Sequence, residues 1–254
     1  MSNHAAGHTH HWEFSWAPMV LTIGIVLVVP LTFVSWFVYK NPTLAAGFAG
    51  VGVPLLLVGI SKWVAEGLSH KPLIEGVSPS ALPIFIISEV FIFLGLFVSY
   101  WTMRLSAGGA WPPAGTPEHM NLALPVVMTI ILVTSSVTYH VAEEKLDHGD
   151  LGGFRGWLFL SIILGLSFLG CTIYEYSHLL HEGFGPSTNA YSTAFFSITG
   201  FHASHVLVGL GVFLAVLIPA LAGKTNKYFT FCAGMYWHFV DVVWFFVATQ
   251  VYYW

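Results

Sequence analysis

Long apolar runs, separated by short polar breaks, set the pattern of this chain. Seven can be marked, at residues 17–39, 44–66, 82–104, 122–142, 155–176, 191–222 and 229–254. About 20 residues rising about 1.5 Å each cross the ~30 Å hydrocarbon core of a bilayer, so every run is long enough to span. Helices are the open-ended structure that satisfies its own backbone in lipid, and the pattern therefore predicts an all-α integral membrane protein with seven transmembrane helices. Pro30, Pro54, Pro125 and Pro219 fall inside the runs and predict kinks. Pro83 falls at the start of the third helix, where its missing N–H costs nothing. One membrane domain, 17–254, follows a histidine-rich tail, 1–16, which reads as solvated because no second ligand cluster closes a metal site around it. No internal repeat is evident, which weighs against a carrier built from inverted halves.

Composition sharpens this picture. Only 8% of the 254 residues are charged, against about 25% in soluble domains. The net charge of −4 offers no basic stripe for nucleic acid. The N-terminal residues carry no Lys or Arg and the first run exceeds a signal-peptide core, so it is expected to stay in the membrane. With the N-terminus cytoplasmic, Lys62, Lys71, Lys145, Arg155, Lys224 and Lys227 fall inside and only Lys40 and Arg104 outside, which favours N-in, C-out. Trp12, Trp16, Trp36, Tyr39, Trp63, Tyr100, Trp101 and Tyr252–Trp254 are expected at headgroup level. Loop 106–121, rich in Gly and Pro, reads as an ordered outer connection without regular structure. Cys171 and Cys232 form no CxxC pattern, lie at different depths, and read as buried small apolar groups.

Ionisable groups inside the apolar runs are the candidates for chemistry, since each is costly there and must find a partner. The last run carries His238 and Asp241 in YWHFVDVVW, spaced i, i+3 and expected on one face. The sixth run carries His202 and His205 in FHASHVLVG, at the same spacing. If the last two helices touch, the four residues make a mid-depth cluster. They could lock the helices together by hydrogen bonds, relay protons, or ligate a haem or a copper, for which His205 and His238 are the nearest pair to hand. Glu89 in ISEVFIFLG has no Lys or Arg at its depth and is expected as a neutral or hydrogen-bonded carboxyl. Glu66 and His70 stand at the inner end of the second helix, and Glu175, His178 and His181 at the outer end of the fifth. No nucleotide loop, nucleophile elbow, HExxH or CxxC pattern appears, so no self-contained active site is expected.

Four motifs, in order, resemble a known family: SEVFIF (Ser88–Phe93), WPP (Trp111–Pro113), YSTAFFSITGFHASHVLVG (Tyr191–Gly209) and YWHFVDVVWFF (Tyr236–Phe246). The chain is similar over about residues 16–254 to subunit III of haem-copper cytochrome c oxidases. The resemblance implies a subunit without haem or copper of its own, packed beside catalytic subunit I, which holds those centres, and assembled with subunit II and other oxidase subunits. It implies phospholipid held between helices 1–2 and helices 3–7, support of rapid proton uptake, and protection from inactivation during turnover. Cytochrome c would be the donor to the complex, whether soluble, tethered or within a supercomplex, and the setting a bacterial inner membrane. The family's carbodiimide-reactive carboxylate matches Glu89, and His202, His205, His238 and Asp241 match positions that the resemblance makes structural. The arginine-rich end of the family's second helix is replaced by SKWVAEGLSHK, where Lys62, Trp63, Glu66 and His70 are the candidates for lipid headgroup contact. Lys lacks the bidentate grip of Arg on a phosphate.

Overall fold

The fold comes from a computed structural model, which describes residues 15–69, 78–109, 111–117 and 122–253. All regular structure among them is helical. Helix α1 (Ala17–Val26) runs on through two π-helical turns at Leu27–Leu31 and Val34–Val38. It is followed by α2 (Pro42–Ser69), α3 (Ser78–Ser106), α4 (Ala123–Asp147), α5 (Leu151–His181), α6 (Ala190–Leu221) and α7 (Lys227–Val247), which a π-helical turn carries on to Tyr252. Seven spans are thus long and apolar enough to cross a membrane. The first π turn holds Pro30, which has no N–H to give, and Thr32 Oγ1 donates to the carbonyl of Leu27 at 2.8 Å. Pro83 stands inside α3, because that helix begins several residues before the apolar run does.

Two compact units divide the chain, one up to Leu73 and one from Ile74. In the first, α1 and α2 lie close. A Cβ added to Gly24 would meet Leu56 at 2.9 Å, one on Gly52 would meet Val28 at 2.7 Å, and one on Gly59 the backbone of Leu21 at 3.0 Å. Small residues at a membrane helix interface allow such an approach, and dispersion then holds it.

In the second unit, α4 packs on α5 and α7, α6 packs on α5 and α7, and α3 lies against α6 with a smaller contact to α7. Short polar turns set this order. Helix α4 ends at Gly149 (φ +79°), and Asp150 at once caps α5 by accepting from the Gly153 N–H at 2.8 Å. Helix α6 ends at Gly223 (φ +77°), and Asn226 caps α7 by accepting from the Phe229 N–H at 3.1 Å. At the other end of the bundle Asn189 caps α6 with a reciprocal Ser192 bond. Asn189 also donates to Ala114 O and Thr116 Oγ1, fastening the loop after α3 to this cap. Trp111 from that loop stands edge-on to both Tyr100 and Tyr191.

The interior is aromatic. Trp237, Trp244, Tyr139, Tyr191, Phe154, Phe168, Phe195 and Phe213 are all fully buried. Tyr139 and Phe213 stack at 4.4 Å, and Trp237 presses on Gly209 of α6 and Gly165 of α5. Two of the aromatic residues expected at headgroup level pack inside the bundle. Tyr100 is wholly buried and Tyr252 nearly so, whereas Trp16, Trp36, Tyr39 and Trp63 are exposed. Trp12 and Trp254 lie outside the described residues. Cys171 and Cys232 are free thiols and half-buried rather than buried.

Candidate functional site

The intramembrane polar groups do not gather into one cluster between α6 and α7. Glu89 and Asp241 find their partners across different pairs of helices. Glu89 on α3 meets His205 on α6, with Oε2 and Nε2 3.1 Å apart and both side chains largely buried. The other ring nitrogen, Nδ1, contacts the carbonyl of Phe201 at 2.9 Å. A carbonyl only accepts, so Nδ1 carries a hydrogen, and the Nε2–Oε2 contact then holds one shared proton. The pair is electrically neutral whichever atom holds that proton. Phe93, one turn along α3 from Glu89, covers the His205 ring at 5.1 Å, and Phe201 flanks it at 4.6 Å. This explains how a carboxyl is carried at this depth without Lys or Arg: the partner is a histidine one helix away.

Asp241 turns the other way, to α4, where it accepts from Ser136 in a short hydrogen bond. A polar seam continues beside it. Thr138 and Ser161 hydroxyls lie 2.8 Å apart, Ser135 donates to the carbonyl of Ser161 at 3.1 Å, and Tyr139 donates to the carbonyl of Thr230 at 2.7 Å. Trp244 Nε1 donates to Thr129 at 2.9 Å, so α4 and α7 are joined at three levels. His202 is fully buried and makes no hydrogen bond among the described residues; its ring is packed by Phe168 and Trp244. His238 is exposed although Asp241, three residues on, is buried. Three residues turn a helix by about 300°, and that 60° offset is enough to put one residue inside and the other out.

The expected lock of His202, His205, His238 and Asp241 is therefore corrected. Helices α6 and α7 are joined instead by Tyr236, which donates to the carbonyl of His205 at 3.2 Å, and by Trp237 seated on Gly209. A haem held between His205 and His238 is also ruled out by geometry: one ring is engaged at both nitrogens inside the bundle and the other faces outward. Among the described residues no three His, Cys, Asp or Glu converge as metal ligands.

Toward the C-terminal end of α2, Lys62 Nζ lies over the Trp16 ring, 5.8 Å from its centre, and Trp63 is exposed. Glu66 is in the helix, its side chain outside what is described, and His70 lies outside the described residues. Two carboxyls gain meaning only in three dimensions. Glu175, near the C-terminal end of α5, accepts from Tyr252 at 2.7 Å, both groups being buried. Glu143 of α4 lies against the backbone of α7 at Gly234. An acidic residue among aromatic ones inside a span is a usable signal for such pairs, but the partner is not readable from spacing.

With this geometry in view, the similarities to known proteins are direct. The family model described as cytochrome c oxidase subunit III matches residues 10–254. The probable cytochrome c oxidase subunit 3 of Nocardia farcinica is 39% identical over 173 residues, 67% of this chain and 84% of that protein. The cytochrome c oxidase subunit 3 of Synechocystis sp. is 40% identical over 173 residues, 66% of this chain and 72% of that protein. That of Tachyglossus aculeatus aculeatus is 32% identical over 250 residues, 93% of this chain and 90% of that protein. The chain belongs to the cytochrome c oxidase subunit III family, and is an integral membrane accessory subunit of a haem-copper respiratory oxidase that works in complex with other oxidase subunits.

Proposed function

We propose that this subunit packs on catalytic subunit I, leaves haem and copper to its partners, and sustains proton uptake and catalytic lifetime through the Glu89–His205 pair. The observation that carries this reading is that pair itself: a neutral carboxyl–imidazole contact of 3.1 Å joining α3 to α6 inside the membrane. A shared proton between two groups of this kind can be passed on or held without placing net charge in hydrocarbon. Cytochrome c is the donor to the complex in this reading. The membrane is a bacterial inner membrane, with the N-terminus cytoplasmic as the Lys and Arg distribution favours.

Phospholipid binding belongs to the same proposal. Lys62 and Trp63, at the end of α2, are the headgroup-side candidates, an exposed indole beside a cation held over Trp16. Glu66 and His70 complete the set of candidates from the same stretch.

The test uses the assembled oxidase. Glu89→Ala is expected to lower proton uptake and shorten the run of turnovers before inactivation, with the haem spectrum unchanged. Unchanged lifetime and uptake in that variant would overturn the role given to Glu89. Lys62→Ala with Trp63→Ala is expected to reduce phospholipid phosphorus per haem in the purified complex, and an unaltered ratio would remove this end of α2 from the lipid site.

A further inference from the structure

Helix α3 meets the rest of its unit at α6 and, more lightly, at α7. One ridge of its side chains runs along that contact. Glu89, Phe93, Phe97 and Trp101 follow one another at every fourth position, over about 18 Å of helix. Phe93 packs on Phe201 at 4.9 Å and on His205 at 5.1 Å, and Phe97 stacks on Trp101 at 5.9 Å. A hydrogen bond ties each end of the ridge: Glu89 meets His205 at 3.1 Å, and Trp101 Nε1 donates to Gln250 Oε1 at 3.0 Å. An indole N–H only donates, so the amide oxygen of Gln250 is the end that faces it. Ser88, Ser99 and Thr102 turn their hydroxyls to carbonyls of α3 itself and fix nothing outside it.

Gln250 is itself held. It sits in the π-helical turn Ala248–Tyr252 that extends α7. The carbonyl of the next residue, Val251, accepts from Tyr191 of α6 at 2.9 Å, Tyr252 donates to Glu175 of α5 at 2.7 Å, and Tyr253 donates to the carbonyl of Leu122, the N-cap residue of α4. Residues 250–253 therefore reach α3, α6, α5 and the start of α4, and the acceptor offered to Trp101 is anchored to the bundle. A contact at Glu89 alone fixes one point of α3. A turn of about 20° about the helix axis moves a group on the rim of a helix about 10–12 Å across by about 2 Å, enough to break a contact of 3.1 Å.

We infer that Gln250, acting through Trp101, is a positioning residue for the Glu89–His205 pair, fixing the height and rotation of α3 so that the carboxyl meets the imidazole. Two bonds about 18 Å apart on one ridge set both, which neither bond does alone. Polar side chains fix register between membrane helices in this way. The role rests on the proton function proposed above for the pair and names what holds its geometry.

The test uses the assembled oxidase and dicyclohexylcarbodiimide, an apolar reagent that adds to a protonated carboxyl, with the adduct at Glu89 counted by mass spectrometry. Gln250→Met and Trp101→Phe remove the acceptor and the donor while keeping apolar bulk. Each is expected to raise the rate of Glu89 labelling several-fold and to shorten the run of turnovers before inactivation, and the double variant to do no more than either alone. Tyr139→Phe, which removes a hydrogen bond between α4 and α7, is expected to leave labelling unchanged. Labelling at the unsubstituted rate in both the Gln250 and the Trp101 variant overturns the positioning role. An equal rise in Tyr139→Phe, the mark of general loosening, overturns it too. Added to Glu89→Ala, Gln250→Met is expected to shorten the lifetime no further, and a further loss would show that Gln250 acts elsewhere. A Glu89→Ala complex with unchanged uptake and lifetime removes the proton function of the pair, while the labelling rates still decide whether Gln250 positions it.

Discussion

Glu89 and His205, 116 residues apart in sequence, share one proton across a 3.1 Å contact between α3 and α6. Because Nδ1 of His205 already donates to Phe201 O, a glutamine at position 89 can offer its amide N–H to Nε2 and leave the pair neutral. Glu89→Gln is therefore expected to assemble and melt like the unsubstituted chain. Glu89→Ala leaves Nε2 buried without its partner, at a cost of about 1–3 kcal/mol. Thermal melting of the detergent-solubilised complex checks both, and equal destabilisation by Gln and Ala would show that the carboxylate charge is what the site requires.

Asp241 is expected to behave in the same way toward Ser136. Asp241→Asn keeps an acceptor for the serine hydroxyl, while Asp241→Leu removes it and leaves the hydroxyl buried. The leucine variant is expected to lose about 1–3 kcal/mol and the asparagine variant far less. Ser136→Ala combined with Asp241→Leu removes both polar groups and is expected to recover part of the loss, read as a coupling in a double-mutant cycle.

Gly209 offers a steric test of the α6–α7 contact. A Cβ there would lie 2.7 Å from Trp237 Cε3, and Trp237 is fully buried with no room to retreat. Gly209→Ala is expected to destabilise by about 1–3 kcal/mol, the usual cost of overpacking. Gly211→Ala, where nothing lies within 4 Å of the added carbon, is expected to be neutral or slightly stabilising.

At the end of α7, Tyr252→Phe removes the donor to Glu175 without changing ring packing. A loss of about 1–3 kcal/mol is expected from the unsatisfied buried carboxyl. Glu175→Leu in the same background is expected to restore stability, and its failure to do so would place the effect elsewhere in the terminal turn.

Much of this was legible in the chain alone. The seven spans follow from run length, since hydrocarbon thickness fixes how many residues a helix needs, and their ends differ from the apolar runs mainly where polar turns prolong α4 and α5 into water. Their rarity as ionisable groups inside apolar runs singled out Glu89, His202, His205, His238 and Asp241. What the spacing could not give is who partners whom. His238 and Asp241 at i, i+3 look like one face, yet a 60° offset separates inside from outside. Glu89–His205 and Asp241–Ser136 depend on the rotation of four helices about their axes, which is set by side-chain packing such as Trp237 on Gly209. The inward turn of Tyr100 and Tyr252 was unreadable for the same reason: an aromatic near the end of a span looks alike in sequence whichever way its helix turns it.

The close approach of α1 and α2 at Gly24, Gly52 and Gly59 bears on how the subunit is made. Its contacts lie entirely within the first unit, so nothing made later is needed to form them. Chains emerge from the ribosome N-terminus first, and domains tend to fold as units in that order. The first two spans can thus enter the bilayer as a finished hairpin while the rest is still being translated, and the five-helix unit then folds without having to sort its helices from theirs.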